Sequence, residues 1–574
     1  MGDGLQSNEV ATHALVFMVV AVNSTWKLPF AHFFTNTATS EDLANLVRLA
    51  IVYLNETGAV LMSLTMDNAA TNIAMLHKIG ASVSNVNSIK CSTQEKNILG
   101  VPILVILDPC HLLKLVRGAL HDCQVIYSTS SSPAQWSHIR ELHELQSTEG
   151  IHLANKLTAS HVYFSGQKMK VCLAAQVCSN SVADALEYAQ LKIKSSGFED
   201  TSGTCQYLRT FNVLFDRMNC KSTRGNSTKS PINCRVIEEV KVDFAKCEAY
   251  IKSLTHEDED VTGEPSTKRC RRSIQVVCGS RKRGFVGFLV NMKTFIKLYE
   301  IYIQTGYLKY LLAYKFSQDH VELLFCTVRG SLGKNNNPTT NEFSRSMKMI
   351  LIGASHSSRY SNCTLQDDTS LLLLPTKLED AVEVCRSEYD LVSEVEGQDW
   401  IDEYIVSSIQ RTEYKDDCLV YIAGYIQKTL IKKEKCEDCK GKISNLKIVE
   451  TSDLINIKNR GPLFIPSTEF VTVVRVAHSL YETRMMEPSL YTEKNLMERL
   501  VIRLSRIFTS TKPNLFKFLN SHDQSMTTSH ASLMIRKIGS LVFTIFLHHH
   551  CKTLNSKEAK IRPKFSKLIL FKNQ

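Results

Sequence analysis

Between residues 14 and 107 the apolar side chains change their spacing in an order that restricts the segment to a sheet with helices laid against it. Residues 14–23 and 26–34 are β-rich runs, and the turn formers Asn23-Ser24-Thr25 between them predict an antiparallel hairpin. Helical spacing follows. Thr39 and Asp42 fit a capping box, and Leu43, Leu46, Val47, Ala50 and Leu54 share one face until Gly58 ends the pattern. A short run from Val60 to Met66 then reaches Asp67, after which Asn68-Ala69-Ala70-Thr71 opens another helix toward Gly80. Residues 101–107 form the next apolar strand, and Asp108-Pro109-Cys110-His111 stops it.

The chain has 574 residues, too many for one ordinary core and enough for three or four structural units. From residue 108 to about 300 the pattern is mixed and largely helical, with Lys170 to Tyr188 read as one helix presenting Leu173, Val177, Ala185 and Leu186. Residues 221–233 and 256–272 are polar and read as mobile surface loops. A helical stretch after Arg281–Gly287 is expected to reach Tyr314 and to continue through Gln318–Phe325. Asn335-Asn336-Asn337-Pro338 breaks it, residues 341–353 are helical again, 379–403 form an acidic connector, and 415–574 end in the basic stretch 552–572. The run Ala14–Val22 is about half the length that spans a bilayer, so no membrane segment is expected. The eighteen cysteines are dilute and no signal-peptide pattern is seen, which predicts reduced thiols and a cytosolic or nuclear setting. A net charge of +11 is compatible with a polyanionic partner, though it is spread over a large surface.

Several residues carry chemistry. Asp67 ends an apolar strand, where open sheets commonly meet ligands and metals; the plainer reading is a helix cap. Glu322 lies between Val321 and Leu323 on an apolar helical pattern, where a buried carboxylate needs a partner or a cation; the plainer reading is an exposed helix residue. Paired carboxylates holding Mg²⁺ activate a water or a 3′ hydroxyl and stabilise charge developing at phosphorus. Lys114 and Arg117 are one helical turn apart, and Asn180, Ser181 and Asp184 form a polar cluster; each reads equally as phosphate contact or helix surface. No Gly-x-x-x-x-Gly-Lys-Ser/Thr loop occurs. Cys436-Glu437-Asp438-Cys439 has zinc-knuckle spacing, but four ligands are needed and the next candidates, Cys418 and His478, are remote in sequence. His548-His549-His550-Cys551 is a metal-binding tract or a polar helix end. Lys268–Arg272 and Arg281–Arg283 are a nuclear localisation signal, a phosphate patch or merely solvated loops.

The stretches Ala14–Val20, Trp26–Pro29, Ala44–Val47, Ser63–Asp67, Asp108–Arg117 and Ser317–Glu322, extended by Asn335–Thr339, resemble successive blocks of the P-element-like transposases, which include the THAP-domain transposases. Tyr421–Tyr425 and Lys458–Gly461 continue the likeness more weakly. The resemblance implies an α/β fold: a ribonuclease-H-like catalytic domain (1–107 and 301–345) interrupted by a mostly α-helical GTP-binding insertion (108–300). An acidic connector (346–414) and a mainly α C-terminal region (415–574) would follow. It implies that Asp67 and Glu322 are the second and third acids of a DDE-type triad, converging in space to hold Mg²⁺ or Mn²⁺. Asp319 would then lie near a bound GTP, for which Lys114 and Arg117 are candidate phosphate contacts. Implied partners are DNA and GTP, with homo-oligomerisation compatible, in the nucleus. The family's first acid belongs on a strand just upstream of the first block. Asp3, in the turn-like Gly2-Asp3-Gly4, is the only nearby carboxylate, so a truncated first strand is expected. A zinc-coordinating THAP module and the leucine-zipper-like segment after it are likewise expected to be absent. The resulting expectation is metal-dependent DNA cleavage and strand transfer. The alternative is a domesticated derivative that binds DNA or protein without cutting.

Overall fold

A computed structural model describes residues 10–356 and 412–558, apart from 130, 155, 226, 260–270, 334, 336, 435, 450–452, 462, 486–494, 513 and 523–528. Asp3, the acidic run 379–403, most of the basic cluster 268–272 and the end of the basic tail therefore lie outside the described residues. The chain divides into two compact units, one of residues 1–148 and 154–365, the other of 149–153 and 366–574.

In the first unit β1 (His13–Val20) and β2 (Lys27–Thr35) form the expected antiparallel hairpin, with a register shift between Phe17 and Met18. Helix α1 (Ser40–Glu56) starts on the expected box: Thr39 Oγ1 accepts from Asp42 N, and Asp42 Oδ2 accepts from Thr39 N at 3.0 Å. It buries Leu43, Ala44, Val47 and Ile51, and Gly58 follows it in the left-handed region at φ 79°. Strand β3 (Ser63–Met66) leads to α2 (Ala70–Lys78). It pairs in parallel with β5 (Pro102–Leu107), whose other edge carries β4 (Ser92–Lys96) antiparallel. The central strand β5 is apolar throughout because both of its faces are covered. The sequence pattern does not reveal β4: Ser-Thr-Gln-Glu-Lys is polar, as suits an edge.

The hairpin and the three-stranded sheet are separate sheets. Consecutive residues Leu15–Val22 and Ala59–Met66 both line one cavity of about 470 Å³. Side chains alternate across a strand, so a wall made of consecutive residues is a strand edge rather than a face. The run Ala14–Val20 is thus only partly buried, although its pattern suggests an interior strand.

Helix α3 (Pro109–Cys123) follows β5 directly, capped by Asp108 through His111 N at 2.9 Å. Two helices replace the single one expected over 170–188. They are α6 (Val171–Val177) and α7 (Asn180–Tyr188), split where Ser179 caps the second through Val182 N; α4 (Trp136–Glu149) and α5 (Ala159–Val162) precede them. Helices α8 (Ser202–Met218) and α9 (Ile237–Ser253) are tied by buried Arg217, which donates to Asp243 Oδ2 from Nε at 3.0 Å and Nη2 at 2.8 Å. Tyr207 on α8 donates to Val116 O of α3 at 2.8 Å. Two short hairpins interrupt the helices: β6 (Val125–Ile126) with β7 (Ala134–Gln135), and β8 (Thr255–Glu259) with β9 (Arg271–Gln275). The ends of the polar run 256–272 are therefore paired strands rather than loop.

Helix α10 (Lys282–Leu298) returns to the sheet. Buried Asn291 brackets the last residue of β5, accepting from Leu107 N at 2.9 Å and donating to Leu107 O at 2.6 Å. Thr294 Oγ1 donates to Val105 O at 2.7 Å. The helix stops short of Tyr314: after a π turn over Tyr299–Ile303, Gly306 takes φ 81° and the chain runs irregularly to a 3₁₀ turn at Ala313–Phe316. Helices α11 (Asp319–Ser331) and α12 (Thr340–His356) close the unit, with Leu324, Val328, Phe343 and Met347 packed beneath the hairpin.

The second unit is helical: α13 (Glu413–Lys433), α14 (Glu437–Ser444), α15 (Asp453–Lys458), α16 (Thr468–Met485), α17 (Leu496–Thr511) and α18 (His530–Glu558). The stretch His530–Cys551 is long and apolar enough to cross a membrane, alone among the described helices. It buries Ile538, Val542 and Phe543 completely against α16 and α17, as the central helix of a bundle does. No disulfide occurs among the described residues.

Candidate catalytic and nucleotide site

Asp67 stands at the C-terminal end of β3. Its Oδ1 accepts from Ala69 N at 3.1 Å and from Asn72 Nδ2 at 2.6 Å, which braces the turn before α2, although the N-cap residue of that helix is Ala69 and not Asp67. It also faces α3, where burial and Lys114 lower the pKa of His111 and Asp67 only partly opposes them. Glu322 lies in the first turn of α11 and is exposed, as is Leu323 beside it, because this face points away from the Leu324 and Val328 stripe. Of the two readings of Glu322, the exposed helix residue is the one observed. No hydrogen bond or electrostatic contact joins Asp67 to Glu322 among the described residues. Both offer carboxylate oxygens, the donors that a hard divalent cation takes.

A third carboxylate is at the centre of the strand ends. Asp108, 5% exposed, follows β5; Oδ2 accepts from His111 N at 2.9 Å and Oδ1 from Gln318 N at 3.2 Å, so it welds the starts of α3 and α11. Burial pushes its pKa up to about 6, neighbouring Asp319 adds to the rise, and the two N–H donors and Lys114 oppose it. Asp319 is bonded to the Cys110 thiol, which burial and the two aspartates raise further. His320 is 4% exposed beside the Tyr314 ring, and burial lowers it to about 4. In the sequence Asp108 reads as the strand's stop and as the head of a family block, and an aspartate before Pro-Cys-His is also an N-cap signature.

The nucleotide candidates divide. Lys114 and Arg117 line one cavity of about 340 Å³ with Lys168, Arg281, Arg283 and Asp122, whereas Asp319 is with Asp108 and Cys110 instead. Arg117 is 1% exposed rather than on a helix surface. Its guanidinium lies 3.5 Å over the Phe164 ring and Nη2 donates to Lys168 O at 3.1 Å, while Nε and Nη1 have no protein acceptor. Burial lowers its pKa. A buried cation with two unused nitrogens is costly until an anion meets them, which is the property of a phosphate pocket. Asp184 is also internal: it accepts from Arg209 Nη2 at 2.9 Å.

In the C-terminal unit Cys436 and Cys439 come together with His530, while Cys418 and His478 are buried elsewhere in the bundle. His549 packs its ring on His152 rather than joining that cluster.

Four family models match the chain in order. They are the TNP-like RNase H N-terminal domain over residues 1–80, the TNP-like GTP-binding insertion domain over 110–231, the TNP-like RNase H C-terminal domain over 314–348, and the C-terminal domain of DNA transposase THAP9 over 410–552. The chain belongs to the P-element-like transposase family. The human DNA transposase THAP9 is 26% identical, with 89% of this chain and 56% of that protein covered. The transposable element P transposase of Drosophila melanogaster is 22% identical, with 89% and 62% covered. The chain thus spans about 56% and 62% of the length of these two relatives. A chain of the Drosophila P element transposase strand transfer complex matches at 21% identity and a TM-score of 0.47, over 60% of this chain and 70% of that one. The RNase-H-like domain is therefore in two pieces around the insertion, as the residue blocks predict.

Proposed function

We propose that this chain is the catalytic and C-terminal body of a nuclear, metal-dependent DNA transposase that cleaves and joins DNA, with a guanine nucleotide held in its insertion. The observation that carries the reading is the ordered quartet of family matches, with Asp67 at the end of β3 in the first RNase H segment and Glu322 in the first turn of α11 in the second. Asp67 and Glu322 would hold Mg²⁺ or Mn²⁺, which when bound supplies an activated water or 3′ hydroxyl and neutralises charge on the phosphate. Lys114 and Arg117 would take nucleotide phosphates in the basic cavity, Arg117 through its unused Nε and Nη1, with Asp319 nearer the strand ends than the cavity. DNA and a second copy of the chain are the partners this reading implies.

A second reading is a derivative that binds DNA or protein without cutting. It is favoured by Asp67 spending Oδ1 on α2 and by Glu322 standing exposed without a contact to Asp67. A Mg²⁺-dependent strand-nicking assay decides between them. Asp67→Asn and Glu322→Gln should each lower the rate by about 100-fold or more, since such acids act as a unit. Nicking that survives both changes rejects the site, and a wild-type chain that binds DNA without nicking supports the second reading. Lys114→Gln should weaken GTP binding about tenfold in calorimetry, the loss of one charge-assisted contact. Unchanged affinity would remove the nucleotide from this cavity.

A further inference from the structure

We propose that Cys436, Cys439 and His530 form a structural zinc site that fastens α14 to the start of α18. One ligand atom from each lies within 4.8 Å of the other two, and Cys439 Sγ is 3.2 Å from His530 Nδ1. In a tetrahedral site with Zn–S of about 2.3 Å and Zn–N of about 2.0 Å, ligand atoms are separated by roughly 3.5–3.8 Å, so the cluster already has nearly the spacing an ion requires. The described residues supply three of the four ligands that structural zinc takes.

Local structure explains how the sequence builds it. Cys436 is the N-cap residue of α14, and its thiol makes no cap bond but hydrogen-bonds with Cys439. Cys439, three residues on, shares that end of the helix. His530 arrives from 91 residues away as the first residue of α18. Around the cluster, Glu434 accepts from Cys436 N at 3.3 Å through Oε1 and from Lys537 Nζ at 2.8 Å through Oε2, which positions the first thiol and ties it to α18. Two thiolates neutralise the ion's charge, so the neighbouring Glu434–Lys537 pair is not disturbed.

Energetics give the ion a task. Helix α14 has eight residues and buries only Cys439 and Ile443, too little apolar surface to dock it firmly. Hydrogen bonds also tie it, from Lys442 Nζ to Phe518 O at 2.9 Å and from Gln427 Nε2 to Ile443 O at 3.2 Å. A metal anchor supplies what the missing core does not, as in other small elements held by zinc.

The test uses the full chain purified without chelator. Elemental analysis should find about one zinc per chain. Cys439→Ser and His530→Ala should each lose it, and a zinc chelator should lower the melting temperature of the wild type but not of either variant. Should a variant fail to fold, cobalt exchanged into the wild type should give the thiolate charge-transfer and tetrahedral d–d bands of a sulfur-ligated site. Zinc retained by both variants, wild-type melting unaffected by chelator, cobalt bands without a thiolate component, or a Cys436–Cys439 disulfide found by mass spectrometry in place of the metal would each overturn the proposal.

Discussion

Asp108 shows what one buried carboxylate does to a protein's response to pH. Its folded pKa of about 6 lies above the unfolded value near 3.8, so the folded state holds the proton more tightly. The stability it contributes is complete below about pH 4 and is lost as pH rises through 6. Two pKa units correspond to about 3 kcal/mol in total, of which roughly 1–1.5 kcal/mol falls between pH 5 and 7. His320 has the opposite slope: buried neutral with a pKa near 4, it costs stability as pH falls from 6.5. Comparing wild type with Asp108→Asn cancels the histidine. The variant should lose a constant 1–3 kcal/mol, roughly, because an amide oxygen cannot serve both His111 N and Gln318 N as two carboxylate oxygens do. Above that offset, urea titrations at pH 5 and pH 7 should show the gap between the proteins narrowing toward pH 7. A gap that stays the same at both values would mean Asp108 ionises normally.

Among the elements, Gly424 is where sequence and packing disagree most usefully. It lies inside α13, where alanine is favoured over glycine by about 1 kcal/mol. A Cβ there would sit 2.3 Å from Phe464 O, a backbone atom that cannot swing aside. Gly424→Ala should therefore lower stability by about 1–3 kcal/mol despite the better propensity. A thermal melt that rises would show that the 464 loop relaxes freely. The same contest between local pattern and context sorts the elements that were legible in the sequence. The Thr39 box, α1 and β5 were readable because their periodicity and their burial coincide, and the hairpin because turn formers separate two β-rich runs. Strand β4 was not, since a polar edge strand carries no apolar alternation, and the break between α6 and α7 rests on one Ser179 cap that composition does not betray. The site divides similarly. Asp67 was visible as a strand terminus, whereas the exposure of Glu322 depends on which face α11 turns to the hairpin. Asp108 and His530 matter through partners 210 and 91 residues distant, which spacing cannot reveal.

At the scale of the whole molecule, the two compact units have separate cores: Ile103–Leu107 with Phe285, Phe288 and Phe295 in one, Phe470, Val474, Phe508, Ile538 and Phe543 in the other. A chain with two cores need not unfold in one step, and a single free energy does not then describe it. Asp108→Asn and Gly424→Ala fall in different units and share no partner, so each should act on its own transition. Hydrogen exchange read by peptide mass spectrometry along a urea series provides the check. Peptides from 10–148 and 154–356 should open at one midpoint and those from 412–558 at another, with Asp108→Asn moving the first set and Gly424→Ala the second. If every peptide opened at one midpoint and both substitutions displaced all of them alike, the two cores would be one cooperative structure. The effects of residues in the helical C-terminal unit would then reach the strand ends that carry Asp67 and Asp108.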